Sequence, residues 1–551
     1  MPDTPAAEQD SLPRIVLLSS LAVALLALGL YLQTLHPGVG PSLDSMELQI
    51  ATLVGGVIHP PGSPQYLMLG RLAMLVLPGP SAAYRLNLFS ALCMAATVGC
   101  VHLLAYRLTH NLVASGYASL GLAVATRLWY QASIAELYAL NALYVALTFY
   151  LLTAWHDTHQ RGLYWAAIAV YAFSFGNHVS MILLLPAILY IVEETDRSVL
   201  QPRNLLIAAG IALLAALQYL YIPLRVMAAP PFCNYCPSIS ALPTYLTGGP
   251  FRGQMFALPR HEILARLPES IGQFNEQFMP WGYILGIIGG WELFRRRPSL
   301  AWFLVLGLVT EYIFVMGYAI PDWHDFLTPC YVLFAPLMSY GGLRLWELLQ
   351  PYAKRSLLEG RRLVAHSIPI ALIISLLLAL GISLYAGFPR VDQSRRTDYE
   401  INSHTLVSQA QPGAWLLMPH PNSAAFYYSW AVRYTAFVEN KPGFTAIAPP
   451  EVYPPPGPPP YYEAWDNVSS QLEISSLLQS ERQVFVLDRN DERVTEWGLL
   501  PLCAPDGTTI AGYEVVAVRI DGEVQPRVSS ERWNAISSYV VFGTEGEAHC
   551  P

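Results

Sequence analysis

Residues 15–35 read IVLLSSLAVALLALGLYLQTL, an uncharged run long enough to cross a hydrocarbon core roughly 30 Å thick. Runs of the same kind recur to about residue 387. Their spacing predicts eleven membrane spans, near 15–35, 83–106, 112–127, 139–155, 163–177, 179–193, 204–222, 281–294, 299–319, 328–349 and 366–387. Two of these, 179–193 and 281–294, are short for a span. The first run is read as a span rather than a cleaved leader: it is long, no small-residue cleavage site follows, and further spans come after it. Past 387 the apolar runs give way to mixed polar and proline-rich sequence. The pattern divides the chain into a membrane domain, 1–387, and a C-terminal domain, 388–551.

Lys and Arg orient the spans. With the N-terminus cytoplasmic, the short inner loops carry Arg14, Arg107, Arg161, Arg197, Arg203, Arg295–Arg297, Lys354, Arg355, Arg361 and Arg362. The opposite side then receives the long loops 36–82 and 223–280 and the whole tail. The tail holds strand-like segments, GAWLLMP, QVFVLD and YEVVAVRI, and helix-like stretches near 398–410, 422–434 and 467–480. That alternation predicts a small extracytoplasmic α/β domain. APPEVYPPPGPPP at 448–460 is too rich in proline for a helix and reads as a stiff connector.

Composition narrows the classes. The chain is 13% charged, against about a quarter for an average soluble domain. Its net charge of −8 argues against a nucleic-acid partner. Seven cysteines are too few for a disulfide scaffold, although Cys503 and Cys550 both lie on the predicted oxidising side and are able to pair. Cys233 and Cys236 frame CNYCP without a second pair nearby; a local disulfide and free thiols both fit.

The candidate chemistry gathers in the first outer loop. SLDSMELQIATLVGG predicts an amphipathic helix in the interface, with Asp44 and Glu47 on one face. Such a pair serves as a base or binds a cation; the alternative is that Asp44 caps the helix and Glu47 completes a capping box. His59 precedes a Pro-Pro turn and is either a phosphate or acid contact or a plain loop residue. PQYLMLGRLAMLVL, 64–77, is apolar but short, and reads as interfacial or re-entrant. Glu136, at the outer end of the fourth span, is a functional candidate by its position in or near lipid; the alternative is a pairing with Arg127 or a tyrosine. Glu311 invites the same argument without a partner in view. Asn177 and His178 form a tight outer turn, Arg85 opens the second span and Arg225 closes the seventh. Arginine suits phosphate, and it also snorkels at helix ends. Asp322, His324 and Asp325 in AIPDWHDFLTP form a loose acid and histidine cluster.

The order of these features resembles the GT-C superfamily of membrane glycosyltransferases. More narrowly the chain resembles the DUF2723 family, the protein O-mannosyltransferase-like group. The matching segments are LDSMELQIATLVGGVIHPPGSPQYLMLGRL, YRLNLFSAL, QASIAELYALNALY, GNHVSMILLLPA, YLYIPLRVMAAPP, PSISALPTYLTGGPFRGQM and YAIPDWHDFLTPCYVLFA, across roughly 15–345. Met46 stands where the family has glycine, and Asn234-Tyr235-Cys236 where Trp-Gly is expected. The resemblance implies a GT-C-like fold and a polyprenyl-phosphate sugar donor, mannose-like. It implies an acceptor hydroxyl on protein, lipid or glycan. Asp44 is then the general base, with Glu47 beside it. His59, Arg85, Glu136, Asn177, His178, Arg225 and Asp322 are the donor-phosphate and substrate contacts. No cofactor is demanded, although the acids are compatible with a divalent cation. The look of the loops suggests a prokaryotic plasma membrane, and the Lys/Arg bias puts the site outside. Two other classes stay open: a transporter or flippase of lipid-linked sugar that uses the same acids and arginines, and a non-catalytic assembly protein that uses the tail as a binding module.

Overall fold

The structure is a computed structural model that describes residues 12–234, 236–358, 362–411, 414–417, 425–438, 445–447, 482–489, 496–503, 509–520, 523–542 and 550. Every predicted span lands on helix. The helices are α1 (Arg14–Gln33), α2 (Leu43–Val54), α3 (Pro64–Val76), α4 (Ala82–Thr109), α5 (Leu112–Ala123), α6 (Thr126–Ser133), α7 (Leu137–Thr158), α8 (Arg161–Ser174) and α9 (Leu185–Thr195). There follow α10 (Pro202–Ala216), α11 (Tyr221–Met227), α12 (Leu242–Leu246), α13 (Arg260–Arg296), α14 (Pro298–Gly317), α15 (Thr328–Leu358) and α16 (Arg362–Val391). Among the described residues seven helices are long and apolar enough to cross a membrane alone. The remaining predicted spans fall on shorter helices: α5, α8, the 3-10 turn with α9, and the second half of α13.

α13 is two helices joined at Met279, whose φ of 56° breaks the ladder immediately before Pro280. Close helix contact depends on small residues: a Cβ on Gly289 of α13 would meet the Leu337 carbonyl of α15, and one on Gly341 of α15 the Leu285 carbonyl. The continuous segment Pro202–Met227, which joins α10 to α11, and Ser367–Val391 of α16 are mostly unburied, so their leucines form an outer face. Arg297 pairs with Asp157 and donates to the Arg107 carbonyl, which brings the C-terminal ends of α4, α7 and α13 to one end of the bundle. The C-terminal ends of α1 and α14 and the starts of α4, α7 and α15 lie at the other end.

The tail adds α17 (Asp398–Gln409), α18 (Ala425–Val438) and a sheet ordered β2-β1-β3-β5-β4-β7, with β6 paired to β5. The strands are β1 (Trp415–Leu417), β2 (Thr445–Ile447), β3 (Val484–Val486), β4 (Trp497–Cys503), β5 (Thr509–Ile520), β6 (Glu523–Pro526) and β7 (Val541–Phe542). β1 runs parallel to β2 and β3; the other pairings are antiparallel. β1, β3 and β5 answer the three predicted strands. β4 escapes the pattern because six of its residues are buried without alternation and it contains Gly498 and Pro501. The third tail helix and the proline connector lie outside the described residues. Cys503 is joined to Cys550, and Cys233 to Cys236.

Candidate active site

α2 carries the site, and it is not the interfacial helix its sequence predicts. Ser45 through Thr52 are all buried. The reason lies in polar side chains that tie the preceding loop over it. Gln49 Oε1 accepts from Gly40 N at 3.0 Å, and its amide donates to Asn87 Oδ1 at 2.9 Å. Asn87 Nδ2 donates to the carbonyls of His36 and Gly38, each at 2.9 Å. A buried amide pair with its partners satisfied fixes one arrangement of the loop.

The cap of α2 is Ser42, not Asp44. Ser42 Oγ accepts from Ser45 N at 3.0 Å. Asp44 stands inside the first turn, half-buried, and accepts no hydrogen bond from the described residues. Glu47 is 3% exposed and fully engaged: Oε1 takes the His59 backbone N–H at 2.9 Å and Asn234 Nδ2 at 2.6 Å, and Oε2 pairs with His59 Nδ1. His59 reaches Glu47 because Gly55, at φ 65°, ends α2 in the left-handed conformation and turns the chain back. Val57 then pairs with Cys233, with Asn234 N donating to the Val57 carbonyl at 2.8 Å.

One ligand atom from each of Asp44, Glu47 and His59 lies within 4.8 Å of the others, a spacing compatible with a cation. Glu47 and His59, however, are already satisfied by each other, which leaves Asp44 as the carboxylate with open lone pairs. The electrostatics follow the same division. Burial raises Asp44 to about 6; the His59 charge opposes this, and Glu47, Asp322 and Asp325 add to it. Burial alone would lower His59, but Glu47 and its hydrogen bond, with Asp44 and Asp322, hold it up at about 10. The trio is therefore a carboxylate poised near neutrality beside a fixed ion pair.

Glu136 joins this group. Ser42 Oγ donates to Glu136 Oε1 at 3.0 Å, so the residue that caps α2 also orients the acid at the start of α7. Oε2 of Glu136 is buried and has no hydrogen-bond partner among the described residues. The alternative pairing of Glu136 with Arg127 does not form: Arg127 binds Asp325 at 3.1 Å, and Gln131 binds the same oxygen at 2.9 Å. Asp322 is exposed and acts on Asp44 and His59 through space. His324 turns to Glu269 at 2.8 Å, so the three side chains of the PDWHD segment do not converge.

The remaining candidates are placed structurally. Asn177 donates to the Leu137 carbonyl at 3.2 Å and anchors the start of α7. His178 bonds Ser180 at 2.7 Å and lies against Tyr138 and Phe326; burial, then the His59 charge, lowers it to about 4. Arg225 donates to the carbonyls of Gly55 and Val54, beside the loop that bears His59. Arg85 holds the carbonyls of Met74 and Gly79 in the α3–α4 turn. Sequence reasoning missed Ser42, whose only signal was a cap-type residue before the helix, and Asn234, marked only by the flanking cysteines.

Residues 44–200 match the model of the protein O-mannosyl-transferase TMEM260 N-terminal domain. A mouse protein named protein O-mannosyl-transferase TMEM260 is 32% identical over 195 residues, 33% of this chain. The match spans only 27% of that relative's length. The backbone is similar to ArnT from Cupriavidus metallidurans in a crystal structure bound to undecaprenyl phosphate: TM-score 0.61, 12% identity, 93% of this chain and 98% of that one. The apo form gives TM-score 0.61 and 12% identity over 90% and 97%. The fold is that of a polytopic membrane protein similar in backbone to ArnT, and residues 44–200, which include the site's acids, are similar in sequence to the protein O-mannosyl-transferase TMEM260 N-terminal domain.

Proposed function

We propose that this chain is a GT-C-type membrane glycosyltransferase that moves a mannose-like sugar from a polyprenyl-phosphate donor to an acceptor hydroxyl. The observation that carries the reading is Asp44: an acid at the outer end of the bundle, free of hydrogen bonds from the described residues, raised to about 6, and braced by the Glu47–His59 pair. A general base works best with its pKa near the operating pH. The acceptor oxygen attacks the anomeric carbon, Asp44 takes its proton, and the bond from that carbon to the phosphate oxygen breaks as the lipid phosphate leaves. Glu136, oriented by Ser42, and Asp322 would tune the charge around Asp44, and Arg225, beside the His59 loop, is the candidate contact for the donor phosphate.

The fold likeness to ArnT, whose crystal structure holds undecaprenyl phosphate, supports a lipid-linked donor. The similarity to protein O-mannosyl-transferase TMEM260 supports a protein acceptor ahead of lipid or glycan. Two disulfides on the side of the site support an extracytoplasmic setting. The division at 387/388 belongs to the same proposal.

The test is transfer of labelled sugar from polyprenyl-phosphate donors in membranes, for the wild type and Asp44→Asn, with and without chelator. We expect Asp44→Asn to lower transfer by about a hundredfold or more while folding is kept. Equal transfer by both proteins removes Asp44 from the mechanism. No transfer by the wild type with any donor favours a flippase. A drop on chelation would bring a divalent cation into the acid cluster.

A further inference from the structure

α18, nearly four hundred residues after the acids it approaches, packs directly against α2. Its Tyr434 hydroxyl accepts from Ala83 N at 3.0 Å, fixing it to the start of α4. Its Trp430 ring meets Phe232 edge-on, with centroids 5.9 Å apart. Its Arg433 guanidinium lies 5.2 Å from the rings of both Phe232 and Trp430. Phe232 is 1% exposed, and its carbonyl accepts from Val57 N at 3.3 Å. Two residues further on, Asn234 holds Glu47. The contacts form a column from α18 through Phe232 and Asn234 to the Glu47–His59 pair.

We propose that Arg433, delivered by the C-terminal domain, is a positioning residue for the Glu47–His59 pair that braces Asp44. The proposal rests on the glycosyltransferase reading for its effect on rate, and on geometry alone for its effect on the pair. Stacking of a guanidinium on aromatic faces in a buried site is worth more than at a surface. Burial disfavours the Arg433 charge, and the Glu47 carboxylate counters part of that cost, so cation and acid act on each other. The other charged and titratable groups facing the pair are Asp44 on α2, His178 before α9, Tyr245 on α12 and Asp322 before α15, while Glu136 at the start of α7 and Asp325 act on Asp44. Arg433 is the group among these that comes from the C-terminal domain. The tail is thereby part of the site's framework.

The experiment uses the full chain in membranes, as wild type, Arg433→Met, Arg433→Lys and Asn234→Ala. Diethyl pyrocarbonate acylates neutral imidazole, and peptide mapping reads its attachment to His59 between about pH 6 and 8. His59 held protonated by Glu47 resists labelling in the wild type. Loss of the Arg433 cation would by charge alone favour protonated His59, so the labelling of His59 that we expect in Arg433→Met, at a pH where the wild type resists, reads lost positioning, as it does in Asn234→Ala, which breaks the same support directly. Arg433→Lys should restore most of the protection. Transfer should fall roughly tenfold in turnover in Arg433→Met, with donor KM little changed and the acid limb of the pH profile displaced. Wild-type labelling and pH profile in Arg433→Met overturn the proposal. So does damage in Arg433→Lys equal to that in Arg433→Met with a lowered melting temperature, which makes the role packing alone. If the wild type transfers no sugar, the glycosyltransferase reading falls, and the labelling still decides the role of Arg433.

Discussion

At the scale of single residues, the site separates two acids that look interchangeable in sequence. Asp44 and Glu47 are three positions apart on one helix face, yet Glu47 is closed by three hydrogen bonds and Asp44 is open. The pH dependence follows from Asp44. A base is competent when ionised, and burial places this one at about 6, so transfer should rise with pH across roughly 5 to 7. His59 lowers Asp44, so His59→Gln should move that rise to higher pH; a rate profile unchanged by the substitution would break the link between them. The sequence made Asp44, Glu47, His59 and Glu136 visible, because ionisable groups beside apolar runs stand out. Hydrogen bonds between distant segments left no trace there, so the Ser42 cap, its bond to Glu136 and the Asn234 clasp on Glu47 were not legible.

Among elements, the predicted membrane segments are all helices because apolar length is a strong signal that needs no knowledge of neighbours. α2 was misplaced for the complementary reason. Its moderate mix of polar and apolar residues fits a surface helix, and the Gln49–Asn87 amides with the packing of α3, α4 and α18 put it inside. The α13–α15 contact gives a sharper test of element packing. A side chain at Gly289 has nowhere to go but the Leu337 carbonyl. Gly289→Leu should therefore push the two helices apart and cost several kcal/mol, read as a lowered melting temperature in detergent and poor yield. Gly290→Leu, one residue on, would meet only the flexible Leu337 side chain and should be mild. Equal effects of the two would mean that the helices are not in close contact.

For the whole molecule, the arginines on the short loops and the disulfides give orientation two independent arguments. Arg107, Asp157 and Arg297 meet at the end opposite the site, and Cys503–Cys550 lies in the tail. A membrane-impermeant maleimide applied to intact cells after mild reduction should label Cys503 and Cys550. A cysteine introduced at Arg296 should stay unlabelled until the membrane is opened. The reverse pattern would invert the proposed topology. The tail sheet was half legible: β1, β3 and β5 are short apolar runs between turn residues, whereas β4 carries glycine and proline and is buried on both faces.

The contact of α18 with α2 also orders events in time. A ribosome releases Asp44 early and Arg433 close to 390 residues later, a delay on the order of half a minute at about 5–20 residues per second. Through that interval Glu47 and His59 wait in the nascent chain, first without Asn234 and then without the helix that packs over them. A message cut short before α18 thus yields an inserted bundle with an unfinished centre, a substrate for membrane quality control rather than a weak enzyme.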